Sequence, residues 1–263
     1  MLASLYDLVD LNSALQGSLF FGRIEYLPET ESTNTLAMQA ASLGAAEGTV
    51  FLADQQTAGR GRNGHAWHSE AGSAILASII LRPQISPSQA LWLSLMTGVA
   101  VHDAILRTCG IDCDLRWPND LLIFRKKVCG VLIEIAADAE QLRFAVVGIG
   151  INVNQKVFPA DISKLATSIQ IETGKTWSRT ELLSSLLGSL QREYQAVLAV
   201  NGTTALLRKV ESISTFVRSK RVHVDEAGGY EGVTDGLDER GFLRVRTASG
   251  IRTVLSGGVR DAR

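Results

Sequence analysis

The sequence predicts an α+β fold, a large unit of strands and helices followed by a small all-β module. Three observations carry this. Apolar, β-branched runs of strand length recur at Thr49–Ala53, Ser73–Leu81, Val128–Ile135 and Arg143–Asn154. Two longer stretches, Ser86–Gly110 and Ser178–Val200, carry apolar residues near helical spacing. After Phe216 the pattern shifts to short segments separated by glycine-bearing turns.

Taken in order, Leu2, Leu5, Leu8 and Val9 suit a short amphipathic helix, and a strand follows at Arg23–Leu27. In E-S-T-N-T-L-A-M-Q-A-A, Ser32, Thr33 and Asn34 are all N-cap types, and the helix they open stops at Gly44. One cap is enough, so the others are free to face a ligand. Thr49–Ala53 and Ser73–Leu81 are buried strands. Ser86-Pro87 opens a core helix through Leu91, Leu95, Val99 and Ile105 to Gly110. Leu115–Trp117 and Leu121–Phe124 are strand-like and broken by Pro118-Asn119-Asp120. A basic turn, Arg125-Lys126-Lys127, then leads into strand Val128–Ile135, with Gly130 three residues past Lys127. Gly148 and Gly150 alternate on one strand face that Asn152 continues; the groove they leave would let a ligand or another backbone come close. Residues 155–177 read as irregular. Ser178-Arg179-Thr180-Glu181 has capping-box form and opens a helix to about Val200, with a second helix at Thr203–Ser214. Arg221–Val224, Tyr230–Asp235, Phe242–Arg246 and Arg252–Leu255 are the terminal strands, SH3-like in size and number.

One stretch resists any packed reading. D-Q-Q-T-A-G-R-G-R-N-G-H-A-W, Asp54–Trp67, alternates Gly59, Gly61 and Gly64 with Arg60 and Arg62 between two apolar strands. Glycine is costly to order and arginine is seldom fully buried, so this is an exposed loop. Its composition suits an anion clamp: bare N–H groups, two guanidinium forks that match phosphate or carboxylate, and an indole on which a ring can stack. A solvated surface loop has the same composition. No G-K-[ST] follows it, and a strand rather than a helix comes next, so it is neither a Walker loop nor a dinucleotide fingerprint.

The totals exclude several classes. At 263 residues and 46% hydrophobic the chain can bury a substantial core, with one large domain and a small one. A net charge of −1 supplies no global field for nucleic acid. Cys109, Cys113 and Cys129 form no paired framework and no zinc spacing, which suits buried thiols in a reducing compartment. The first residues lack a signal peptide's basic and apolar regions, and no unbroken apolar run nears the roughly 20 residues of a membrane span. A cytoplasmic protein with no membrane partner is expected.

Four segments, E-S-T-N-T-L-A, D-Q-Q-T-A-G-R-G-R-N-G-H-A-W, R-W-P-N-D-L-L-I-F-R-K-K-V-C-G-V-L-I-E and V-V-G-I-G-I-N-V-N, in this order and spacing, closely resemble biotin–protein ligase. The resemblance runs from about Arg23 to Asn154, and the terminal β module fits it. It implies a mixed β-sheet backed by helices, akin to class II aminoacyl-tRNA synthetase cores, over residues 1–216, and an SH3-like β-barrel over 217–263. It implies that biotin and MgATP give biotinyl-5′-AMP and pyrophosphate, and that the adenylate acylates a lysine of a carrier. The default carrier is the biotin carboxyl carrier protein of acetyl-CoA carboxylase. Relatives often dimerise through sheet edges, so a homodimer is an expected assembly.

Site residues follow from the same resemblance. Ser32, Thr33 and Asn34 match the polar turn that reads the biotin ureido ring, with Gln56 across the pocket. Gly59, Arg60, Gly61 and Arg62 match the adenylate loop, Arg60 meeting the biotin carboxylate and α-phosphate and Arg62 the phosphates. Trp67 corresponds to an aromatic near the adenine. Lys127 matches the lysine bridging carboxylate and α-phosphate, and Gly130 and Gly148 line the biotin site. Asn119 and Asp120 sit where nucleotide or magnesium is handled, Asp120 being the expected Mg2+ ligand, and Asn152 lies near the adenosine. The chemistry agrees: carboxylate attack on a phosphate joins two anions, which Lys127 and Arg60 can neutralise with magnesium screening the pyrophosphate, and no side-chain nucleophile is needed.

Two departures matter. Some family members carry an N-terminal helix-turn-helix domain; residues 1–22 are too few for one, so a ligase without DNA binding is expected. His65-Ala66 stands where relatives often have basic residues, which bears on how firmly the adenylate is held. Three other readings compete. A lipoate ligase or octanoyltransferase shares the core, but the G-R-G-R loop and W-P-N-D segment argue against it. An RNA-binding module would need more aromatics among its cations. An inactive relative would lack polar positions that are all filled here.

Overall fold

A computed structural model of the chain describes residues 6–226 and 228–262. Leu2 and Leu5 of the first expected helix lie outside the described residues; Asp7 caps a helix, α1, at Leu8–Ala14. The alternation of apolar runs then yields β1 (Ile24–Thr30), α2 (Thr33–Ser42), β2 (Val50–Gln56) and β3 (Ala74–Leu81). A turn at Pro87–Gln89 starts α3 (Ala90–Cys109), followed by β4 (Asp114–Arg116), β5 (Asp120–Ile123), β6 (Lys126–Ala137) and β7 (Leu142–Asn152). A short α4 (Ile169–Thr173) lies in the region expected to be irregular, before α5 (Arg179–Leu198) and α6 (Gly202–Ser212).

The sheet is mixed, in the order β1-β2-β3-β7-β6-β5-β4. β1 and β2 are parallel and the other pairs antiparallel. The two faces differ in their cover. Odd positions of β3 and β7, such as Ile75, Ile79, Val147 and Ile151, pack with the buried side of α3 and with α5 in the main core. Each such fully buried aliphatic side chain contributes about 1.5–3 kcal/mol. On the opposite face α2 covers only one end, packing Ala37 and Ala41 on Ile80, Phe144 and Val146. The rest of that face stays open, and the site forms there. α3 and its preceding turn are long and apolar enough to cross a bilayer by length and composition, but most of the apolar part is buried as a core helix.

The chain continues as β8 (Arg218–Val224), β9 (Tyr230–Leu237), β10 (Leu243–Thr247), β11 (Gly250–Val254) and β12 (Val259–Asp261). They form an antiparallel sheet in the order β11-β10-β9-β8-β12, one strand more than the sequence pattern indicates. Its buried residues join the main core. The indoles of Trp92 and Trp117 donate to the carbonyls of Arg240 and Gly241, at 3.0 Å each, and seat its β9–β10 turn on the larger unit.

Candidate active site

The open face is shaped by register. Ser78 pairs with Gly148, which pairs with Leu132; Leu76 pairs with Gly150, which pairs with Gly130. Directly opposed residues share a face, so two neighbouring strands present three glycines beside one another. Other side chains fill that space. A Cβ on Gly150 would stand 2.6 Å from the Trp67 indole, and one on Gly130 would stand 2.9 Å from the Lys127 side chain. A Cβ on Gly148 would collide with the Asn34 amide. Above this platform lies a cleft of about 460 Å3, open mouth included.

One end of the cleft is neutral and hydrogen-bonded. Ser32 is the N-cap of α2, with a long 3.5 Å contact from Thr35 N to its Oγ, so one of the three polar residues does cap. Thr33 and Asn34 are inside the helix and buried. Thr33 donates to Gln56 Oε1 from its backbone N–H (2.7 Å) and sits 2.9 Å from it through Oγ1. Ser78 Oγ lies 2.7 Å from Thr33 Oγ1 and 2.5 Å from Asn34 Oδ1. Asn34 Nδ2 donates to Glu134 Oε2 at 2.8 Å. Ser78 and Glu134 were not expected from the sequence. Ser78 is the lone polar residue within the apolar run Ala74–Leu81, a signal that could have marked it.

The other end is cationic. Lys127 Nζ is 2.6 Å from Asp120 Oδ1, and Arg116 Nη2 is 2.6 Å from Asp120 Oδ2. Burial pushes the Asp120 carboxyl up, but the two cations outweigh it and hold it below the usual carboxylate range. Lys127 also lies 5.6 Å from the centre of the Trp67 ring. Its backbone is pinned between Leu165 O, accepting from Lys127 N at 2.7 Å, and Thr167 N, donating to Lys127 O at 2.9 Å. Arg62 donates to Asn119 Oδ1 (2.9 Å) and to Gly257 O of the terminal sheet (3.2 Å). Burial draws Arg62 below its ordinary value, with Asp120 opposing.

Of the expected residues, Ser32, Thr33, Asn34, Gln56, Arg60, Gly61, Arg62, Trp67, Asn119, Lys127, Gly130 and Gly148 line this one cleft. Gly59 lies behind it, against Trp67 and Gln56. Asn152 faces a second hollow beyond Trp67, shared with Phe158, Ile162 and Leu165, and its amide is engaged by Thr167 O and Gln155 Nε2. Arg60 is half exposed and stands 3.2 Å from Glu134. A magnesium ion on Asp120, the expected ligand, would have to share that carboxylate with Lys127 and Arg116, each 2.6 Å from one of its oxygens. Among the described residues no group of three or more His, Cys, Asp or Glu side chains could hold a metal. The β5–β6 turn also differs from expectation: Phe124 and Arg125 make it, both at positive φ, and Lys126 and Lys127 already belong to β6.

Residues 26–152 match the model of the biotin/lipoate A/B protein ligase family. The chain is 35% identical over 240 residues to the bifunctional ligase/repressor BirA of Bacillus spizizenii, covering 89% of this chain and 72% of that protein. It is 31% identical over 240 residues to the biotin–[acetyl-CoA-carboxylase] ligase of Paracoccus denitrificans, covering 89% and 98%. The fold is similar to that of the biotin protein ligase from Aquifex aeolicus solved in complex with biotin and ATP, with a TM-score of 0.78 and 32% identity over 91% of this chain and 98% of that one.

Proposed function

The chain belongs to the biotin/lipoate A/B protein ligase family, and on that premise we propose that it attaches biotin to a carrier lysine through biotinyl-5′-AMP, with Lys127 and Arg60 handling the charge of the first step. One observation carries the reading. A single cleft joins a neutral, directed hydrogen-bond network at one end to Lys127, Arg60 and Arg62 at the other. That polarity matches a neutral ureido ring with an anionic tail.

In the first step a biotin carboxylate oxygen attacks the α-phosphorus of ATP, and the bond to the pyrophosphate oxygen breaks. Both reactants are anions. Lys127, positioned by Asp120, is the group that bridges them, and Arg60 joins it from the loop. Arg62, oriented by Asn119 and Gly257, serves the phosphates. The buried Trp67 Nε1 has no hydrogen-bond partner among the described residues, a donor that a ligand acceptor would satisfy. The apolar hollow behind Trp67, which Asn152 borders, suits the adenine. In the second step the neutral amine of a carrier lysine attacks the mixed anhydride carbonyl, AMP leaves, and the amine's proton is released. The glycine-rich loop, ordered over the adenylate, would keep water out.

Magnesium enters as part of the nucleotide substrate. The Paracoccus relative's name makes the biotin carboxyl carrier protein of acetyl-CoA carboxylase the acceptor to test. The reaction needs neither DNA nor a membrane, and three buried free thiols suit the cytoplasm. Residues 1–216 would form the catalytic domain and 217–263 an SH3-like domain, with a homodimer as the assembly to look for. The experiment is a mass measurement on purified carrier incubated with ATP, magnesium and biotin. A gain of one biotinyl group that requires this protein supports the reading; an unmodified carrier refutes it.

A further inference from the structure

Glu134 touches one residue from each end of the cleft, Asn34 and Arg60. Its Oε2 accepts from Asn34 Nδ2 at 2.8 Å and lies 3.2 Å from Arg60 Nη2. The same Arg60 nitrogen is 3.2 Å from Thr35 Oγ1 on α2, so the guanidinium spans the mouth from helix to strand. An ionised carboxylate only accepts hydrogen bonds, so Glu134 fixes the Asn34 amide with its NH2 outward and its oxygen toward Ser78. Gly148 leaves the room that this arrangement needs. One carboxylate therefore serves both the ring-reading network and the loop.

We propose that Glu134 is a positioning residue that parks Arg60 at the cleft mouth until the carboxylate of the ligand displaces it. The inference rests on the proposed role of Arg60 toward that carboxylate. Arg60 and Glu134 are 50% and 27% exposed at their side chains. A pair so open to water is weak, as suits a contact that each turnover must break. When Arg60 transfers, Glu134 keeps Asn34 in place, so the ring stays held while the loop moves.

The test compares biotin with biotinamide, its neutral amide, in wild type and Glu134→Gln, with affinities measured by calorimetry at low salt. Any harm to Asn34 weakens both ligands alike and cancels in their ratio. Loss of the competing anion helps only the ligand that carries a carboxylate. The wild type should prefer biotin, and Glu134→Gln should raise that preference by about two- to fivefold, the range of an exposed pair. Glu134→Ala should move the ratio the same way, with melting curves confirming that both variants fold. An unchanged or reduced ratio in both variants overturns the proposal while leaving the Arg60 assignment intact. Equal affinity for the two ligands in the wild type overturns that assignment and the proposal with it.

Discussion

Asp120→Asn is the substitution that separates a positioning carboxylate from a metal ligand. Asp120 is 15% exposed at its side chain and sits between Lys127 and Arg116, which are 32% and 27% exposed. Breaking a fully buried pair costs about 3–5 kcal/mol, because a charge is left without its partner. Here water reaches both freed cations, which brings the cost to about 1–3 kcal/mol. For a chain of this size that lowers the melting temperature by roughly 3–10 °C. The rate should suffer more. With its anchor gone Lys127 swings from the cleft, and a displacement of about 1 Å costs on the order of a hundredfold. The assay is biotin-dependent pyrophosphate release, read beside carrier acylation from preformed biotinyl-5′-AMP. The first should fall steeply and the second little, and excess magnesium should restore neither. Wild-type pyrophosphate release, or rescue by magnesium, would refute the reasoning. The acid limb gives a second readout. The folded-state value of Asp120 lies below the ordinary carboxylate range, so its contribution is present above that range and lost as pH falls through the depressed value. Melting temperature should therefore fall less steeply with acid in Asp120→Asn than in the wild type.

Other substitutions test other parts of the account. Gly148→Ala forces the Asn34 amide aside, so the KM for biotin should rise about tenfold or more while ATP binding holds, with an overpacking cost of about 1–3 kcal/mol. Lys127→Ala and Arg60→Ala should each abolish adenylate formation with the fold retained, as judged by circular dichroism and pyrophosphate release. Arg179→Met leaves Asp54 buried without the cation now 2.8 Å away, and should cost about 3–5 kcal/mol in denaturant melts without changing the KM for biotin.

Much of this architecture can be read from residue order. Apolar runs of strand length located strands of the main sheet, and Ser32, Gly44, Gly110 and Ser178 marked helix ends where capping chemistry puts them. The glycine pair at 148 and 150 marked the floor of the cleft, where the room they leave is taken up by the Asn34 and Trp67 side chains. Part of what was not legible depends on partners distant in sequence. Nothing near Glu134 reveals that it meets Asn34 and Arg60, 100 and 74 residues away. The resemblance assigned Asp120 to nucleotide or magnesium, and its contacts with Arg116 on the preceding strand and Lys127 on the next show only once the strands are paired. The hairpin turn was misplaced because Phe124 and Arg125 adopt positive φ without the glycine or asparagine that advertises it. β12 is three residues long, too short for any periodicity to show.

The central claim is that Lys127 and Arg60 converge on one mixed anhydride. A crystal structure with biotinyl-5′-AMP bound tests it most directly. The account predicts Lys127 Nζ and the Arg60 guanidinium both within about 3 Å of the acyl-phosphate oxygens, with Arg60 withdrawn from Glu134. An adenylate seated in the cleft while Arg60 still pairs with Glu134 and Lys127 contacts only Asp120 would contradict it.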